Sequence, residues 1–159
     1  MTALLSGTEA PDFSLPSSEG GQWRLAAQRG RWVVLYFYPR DMTPGCTTEA
    51  CEFNVVYREL QDLGVEVVGV SADSLQRHKT FKERHGLKFP LLADTDYTVA
   101  KLYGAFGEKK FMGKTSHGIL RTTYLIDPQG RIAKVWEKVK AAGHAGEVLV
   151  FLKTLRSNG

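Results

Sequence analysis

The chain has 159 residues, 43% hydrophobic and 24% charged, and its 21 basic and 17 acidic residues leave a net charge of +4. That length and balance predict one globular domain over residues 1–159, able to bury a core without metal or disulfide staples. The charges are interspersed and no apolar run approaches the ~20 residues of a membrane span, so nucleic-acid binding and a membrane-spanning helix are both excluded as expectations.

Residues Met1 to Ala10 carry neither a basic region nor an apolar run of leader length, so the expected location is the cytoplasm. Two cysteines are too few for a four-cysteine zinc site, and in a reducing compartment a close pair is more often catalytic than a permanent cross-link.

Ala10–Leu15 and Gln22–Leu25 flank the turn-rich run from Pro16 to Gly21, which predicts an N-terminal β-hairpin capping a sheet. Arg31–Tyr38 is continuously apolar, β-branched and aromatic apart from its first residue, the pattern of a central strand covered on both faces. Ala50, Phe53, Val56, Tyr57 and Leu60 recur at helical spacing within Thr47–Leu63, and Gly64 stands at the expected stop. Val65–Ser71 is a second buried strand, so strand, helix and strand form a right-handed parallel crossover.

Ser74–His85 reads as a surface helix with Leu75, His78 and Phe81 on its inner side and Gly86 past its end. Phe89–Ala93 is a short strand, Asp94 or Thr95 caps a helix from Asp96 to Tyr103, and Gly104–Gly118 reads as a loop. Its basic stretch from Lys109 to Lys114 reads as a solvated surface. Thr122–Ile126 and Ile132–Trp136 flank a type I turn at Asp127-Pro128-Gln129-Gly130, and a helix over Ala145–Leu155 closes the chain. The whole predicts an α/β fold with a central mixed sheet.

Both cysteines lie in the run Pro39-Arg40-Asp41-Met42-Thr43-Pro44-Gly45-Cys46-Thr47-Thr48-Glu49-Ala50-Cys51, directly after the first buried strand. A thiol at a helix N-terminus faces unpaired N–H groups and the positive end of the dipole, which favours the nucleophilic thiolate. Thr43, three residues earlier, offers a hydroxyl within reach of the sulfur, although a threonine there also suits a helix cap. Pro39 fixes the chain direction at the strand end. Glu49 falls on the Cys46 face of the helix, where a first-turn carboxylate also suits the dipole.

The motifs Gly7-Thr8-Glu9-Ala10-Pro11-Asp12-Phe13, Thr43-Pro44-Gly45-Cys46-Thr47 and Gly118-Ile119-Leu120-Arg121-Thr122-Thr123-Tyr124-Leu125-Ile126-Asp127 resemble peroxiredoxins of the bacterioferritin comigratory protein, or Q-type, group. The resemblance implies a thioredoxin-like fold and reduction of hydrogen peroxide or organic hydroperoxides. It makes Cys46 the peroxidatic nucleophile, sets Arg121 beside it as a fixed cation, and has Pro39 shield the thiolate. Glu49 then orients Arg121 as a supporting residue. Cys51 takes the resolving role, although a cysteine in a helix is also a common small core residue. Recycling falls to thioredoxin or a similar dithiol, no cofactor is required, and the expected state is a monomer.

Residues five apart on a regular helix are separated by a rise of about 7.5 Å and a turn of about 140°, so their Cα atoms stand about 8 to 9 Å apart. A disulfide needs less than about 7 Å. Joining Cys46 to Cys51 therefore predicts that the first turns of the helix unwind.

His78, His85, His117 and His144 show no metal-binding spacing, and no phosphate-binding glycine loop is present. His117 is a candidate for the site mouth but reads more simply as a loop residue. Tyr36, Phe37, Tyr38, Phe53 and Trp136 read as core, with a collar around the pocket as the alternative. Two rivals share the pattern in part: a thiol–disulfide oxidoreductase, which would normally show Cys-x-x-Cys, and a redox-sensing or holdase protein, which would not turn over.

Overall fold

A computed structural model describes residues 3–158. The elements in chain order are β1 (Ser14–Pro16), β2 (Gln22–Arg24), a 3-10 turn (Leu25–Gln28), β3 (Trp32–Phe37), α1 (Pro44–Asp62), β4 (Val65–Ser71), α2 (Leu75–His85), β5 (Leu91–Ala93), α3 (Thr98–Leu102), β6 (Phe106–Phe111), β7 (Lys114–Ile119), β8 (Thr122–Ile126), β9 (Ile132–Trp136) and α4 (Ala141–Asn158).

Val33 to Phe37 are all buried, so β3 has no solvent face and takes the middle of the sheet. β4 pairs with it in parallel and β5 extends that parallel edge. On the other side β8 runs antiparallel to β3, and β9 antiparallel to β8. The order β5-β4-β3-β8-β9 is the expected mixed sheet flanked by helices.

Alternation along the strands sends side chains into two cores. Val34, Tyr36, Val67 and Leu125 pack with Phe53, Tyr57 and Leu60 of α1, Phe81 of α2 and Val148 and Leu152 of α4. Leu35, Phe37, Val68 and Tyr124 pack on the opposite face with Phe13 and Trp23 of the N-terminal segment and Val99 of α3. The β1–β2 hairpin is shorter than its sequence suggests, and Ser17 bridges to Leu92, attaching it to the β5 edge.

Gly104–Gly118 is not a loop. β6 and β7 form an antiparallel hairpin across most of it, turning at Met112 and Gly113 with φ of 52° and 79°. Two consecutive positive φ values define a type I′ turn, which is normally signalled by Asn-Gly and is here carried by a methionine. The helix expected from Asp96 to Tyr103 shortens to Thr98–Leu102, with the Asp94 carboxylate accepting from the N–H groups of Val99 and Ala100 at 3.1 and 2.8 Å.

α1 begins at Pro44, three residues before the expected Thr47. Proline suits the first helical position because its missing N–H has no partner there and its φ is already helical. α4 begins at Ala141, ahead of the expected Ala145, but the conformations of Ala142 and Gly143 interrupt the helix.

Candidate active site

The earlier start of α1 places Cys46 inside its first turn, where helix geometry leaves the Gly45 and Cys46 N–H groups without intrahelical acceptors. Cys46, Glu49 and Ala50 continue the buried stripe of Phe53, Tyr57 and Leu60 toward the N-terminus, so the thiol is fixed by the same face that anchors the helix. Cys46 is 1% exposed, and both cysteines are free thiols, Cys51 being half-buried.

Arg121, between β7 and β8, reaches across to this turn. One terminal nitrogen, Nη2, donates to Cys46 Sγ at 3.4 Å, while Nη1 donates to Glu49 Oε1. Cys46 and Glu49 thus share one guanidinium fork, a planar donor array suited to two acceptors at once. A Cβ on Gly45 would stand 3.3 Å from Arg121 Nη2, so the glycine leaves room for the cation against the helix backbone. An unfavourable glycine near a helix start was the signal for this position, and the sequence reading assigned it no role.

Burial raises the Glu49 carboxyl from 4.5 to about 7, against the opposing pull of Arg121. Burial also works against the Arg121 charge, but Glu49 and then Cys46 outweigh it and hold its pKa above the ordinary value. The asymmetry follows from exposure: the Glu49 side chain is 0% exposed and that of Arg121 17%. Glu49 Oε2 and the Tyr36 hydroxyl lack hydrogen-bond partners among the described residues, and burial with the nearby Glu49 charge pushes the Tyr36 pKa well up.

Thr43 is the residue before the helix, yet its side chain makes no cap, and its hydroxyl donates to the Arg40 carbonyl at 2.9 Å instead of meeting the sulfur. The hydroxyl oxygen keeps its acceptor capacity. Pro39 is half-buried at the end of β3, where the chain turns toward the cysteine. Of the six predicted residues, Cys46, Glu49 and Arg121 meet directly; Thr43 and Pro39 frame the approach loop, and Cys51 lies further along the same helix.

The predicted aromatics divide. Tyr36, Phe37, Tyr38 and Phe53 are core residues, whereas Trp136 is half-buried and lines a cavity of about 510 Å³ together with Lys138, His144 and Glu147. Cys46 does not line that cavity. His117 is exposed on β7 opposite Glu108, within the hairpin instead of a loop. The same hairpin sets Lys109 half-buried, its pKa lowered by burial and then by Arg121. The sequence reading also missed a cluster of buried Asp41 and His78 with half-buried Asp73, whose polar side-chain atoms lie within 4.8 Å of one another.

A buried free thiol in a helix's first turn, contacted by an arginine beside a mixed sheet of this order, fits a thiol enzyme of thioredoxin-like architecture. A family model for AhpC/TSA proteins matches residues 6–135. Peroxiredoxin Bcp of Bacillus subtilis (strain 168) is 44% identical over 149 residues, covering 94% of this chain and 95% of that protein. A cysteine-to-serine mutant of Xylella fastidiosa PrxQ aligns with a TM-score of 0.93 at 36% identity, over 98% of this chain and 99% of that one. The Xanthomonas campestris bacterioferritin comigratory protein, described for its alkyl peroxide reduction activity, aligns with a TM-score of 0.87 at 41% identity, over 94% and 98% of the two chains.

The chain therefore belongs to the AhpC/TSA family and, within it, to the peroxiredoxins of the Bcp or Q-type group. It is a thiol peroxidase, an enzyme that acts on peroxides with a thiol reductant. Among the described residues no helix is long and apolar enough to cross a membrane.

Proposed function

We propose that Cys46 reduces hydrogen peroxide and organic hydroperoxides, that Cys51 resolves the product, and that thioredoxin or a similar dithiol restores both. The observation that carries this reading is the Arg121 fork, which touches Cys46 Sγ at 3.4 Å while anchored by Glu49. The Cys46 thiolate attacks the terminal oxygen of the hydroperoxide, the O–O bond breaks, and the alkoxide leaves with a proton as alcohol. Arg121 and the first-turn N–H groups face the charge as it moves from sulfur to the departing oxygen. Thr43 contributes its acceptor lone pairs to the peroxide hydroxyl, and Pro39 limits water at the thiolate.

The sulfenic acid on Cys46 then condenses with the Cys51 thiol, forming a disulfide and releasing water. In the reduced protein α1 is continuous through both cysteines, so their closure requires the Pro44–Cys51 segment to unwind. External dithiol attacks that disulfide through a mixed intermediate and leaves two thiols on the enzyme. Both reacting thiols lie on one helix, which makes a monomer sufficient, and dependence on a dithiol reductant suits the cytoplasm.

The test is thioredoxin-coupled peroxide consumption by the wild type, Cys46→Ser and Cys51→Ser. Cys46→Ser should lose turnover altogether, and Cys51→Ser should be oxidised once at near wild-type rate without forming an intramolecular disulfide. Full activity in the Cys46 variant overturns the assignment. A peroxide-treated wild type whose Cys46–Cys51 disulfide coexists with an undisturbed α1 overturns the unwinding.

A further inference from the structure

Asp41 and His78 form a hydrogen-bonded pair in which both side chains are 0% exposed, and Asp41 lies five residues before Cys46 on the chain. A buried pair of this kind contributes little net stability over a well-packed apolar one, so its presence calls for a role in fixing conformation. The geometry points to Asp41 and His78 as positioning residues for the peroxide step: their pair clamps the loop that presents Cys46 and holds the stationary side of the hinge when α1 unwinds. The hinge half of this statement rests on the resolving role proposed for Cys51.

Every polar group of Asp41 is engaged. Its N–H donates to Asp73 Oδ2 at 2.8 Å, its carbonyl accepts from Arg77 Nη2 at 3.0 Å, one carboxylate oxygen accepts from the Tyr38 hydroxyl, and the other lies 2.6 Å from His78 Nδ1. His78 is fixed from its far side, where Nε2 lies 2.8 Å from the Leu92 carbonyl and must carry the hydrogen. Nδ1 and Asp41 therefore share one proton across the short contact. Asp73 is held in turn by Arg77 Nε at 2.9 Å and by the Ser71 hydroxyl at the end of β4. The cysteine loop is thus bolted to β4, α2 and β5 at a single residue.

That bolt opposes a local strain. Met42, the next residue, has φ of 67°, a left-handed conformation unfavourable for a non-glycine side chain, and it is followed by Thr43 and the first turn of α1. Without a fixed Asp41 the loop can relax Met42 toward an ordinary conformation and shift the helix start that places Cys46 beneath Arg121. Because the clamp ends at Asp41 and the large apolar anchors of α1 begin at Phe53, with only the small side chains of Cys46 and Ala50 reaching the core before it, motion is concentrated in the segment containing both cysteines.

The experiment separates the two chemical steps by rapid quench and mass spectrometry of Cys46 and Cys51 after mixing the reduced enzyme with hydrogen peroxide. In His78→Leu, Cys46 oxidation should slow about tenfold, as a displacement well under 1 Å at a reacting group suffices for this. Disulfide formation from the sulfenic acid should be undiminished or faster. His78→Gln, whose amide can still donate to Asp41, should recover most of the oxidation rate, and Arg77→Ala, which removes one of the four bonds to Asp41 and loosens Asp73 while leaving the buried pair in place, should lose about twofold to threefold.

Folded His78→Leu enzyme that oxidises Cys46 at the wild-type rate overturns the proposal, as does equal slowing of both steps. If His78→Leu does not fold, a wild-type oxidation rate in Arg77→Ala overturns it. A wild type that forms no Cys46–Cys51 disulfide would defeat the resolving role alone, leaving the oxidation rates to decide the positioning role.

Discussion

The two halves of α1 lie on one helical stripe but are held by different physics. From Phe53 to Leu60 the buried face is apolar: Phe53 stacks on Tyr36 with ring centroids 4.8 Å apart, and Tyr57 and Leu60 continue the contact into the same core. From Pro44 to Cys51 the buried face is smaller and more polar: Cys46 and Ala50 reach the core with little apolar area, Glu49 and the Cys46 thiol are held by the Arg121 fork, and just beyond this segment Glu52 Oε1 accepts from the Gly143 N–H at 2.7 Å, across the break in α4. Apolar contacts are lost only by exposing area to water, whereas hydrogen bonds and ion pairs can exchange partners as they open. A helix built this way can release its first two turns without surrendering the rest.

The largest effect expected from this contrast is in the apolar half. Phe53→Ala removes a fully buried ring, and the loss should be about 3 to 5 kcal/mol of global stability by denaturant unfolding. Enzyme that remains folded should still oxidise Cys46 at a rate of the same order as the wild type. A variant with intact stability and abolished oxidation would show that the two halves are not separable.

In the polar half the expected loss is kinetic. Arg121→Lys keeps the charge but not the fork, so it cannot bond Cys46 and Glu49 together. The rate of Cys46 oxidation should fall about a hundredfold, the scale seen when one preorganised donor to a developing anion is removed. Global unfolding should change far less than in Phe53→Ala. Wild-type oxidation kinetics in the lysine variant would remove Arg121 from the chemistry.

The apolar half was also the more legible of the two. Its 3.6-residue spacing and the uninterrupted apolar runs of β3 and β4 are local signals, and the structure follows them. Cys46 was marked by its position after β3, but the guanidinium that meets it comes from 75 residues away and was expected from family resemblance, not from any spacing. Asp41 and His78 are 37 residues apart, and each alone reads as an ordinary surface or helix residue. The β6–β7 hairpin was hidden because its strands are mostly polar, with no apolar alternation to reveal them, and its turn uses Met112 where asparagine is the usual signal. Thr43 shows the reverse limit: the spacing to the sulfur is right, but in the reduced state its proton goes to the Arg40 carbonyl.

The last contrast is a pH dependence that only the polar half should show. The Glu49 carboxyl is raised to about 7 by burial, against Arg121, from 4.5. A group that binds its proton more tightly when folded favours the folded state fully below its unfolded value, and that contribution is lost as pH rises through the folded value. The gap between about 7 and 4.5 corresponds to about 3 kcal/mol, so wild-type stability should decline from pH 4.5 toward 8 by up to that amount relative to Glu49→Gln. The amide cannot ionise, and the other titrating groups are common to both proteins. Amide exchange locates the effect: protection factors at Thr47–Cys51 should fall with pH in the wild type and stay level in Glu49→Gln. Those at Phe53–Leu60 should follow only the global stability. Parallel pH profiles in the two proteins would mean that Glu49 does not titrate in this window, and that the first turns of α1 are released by the disulfide chemistry alone.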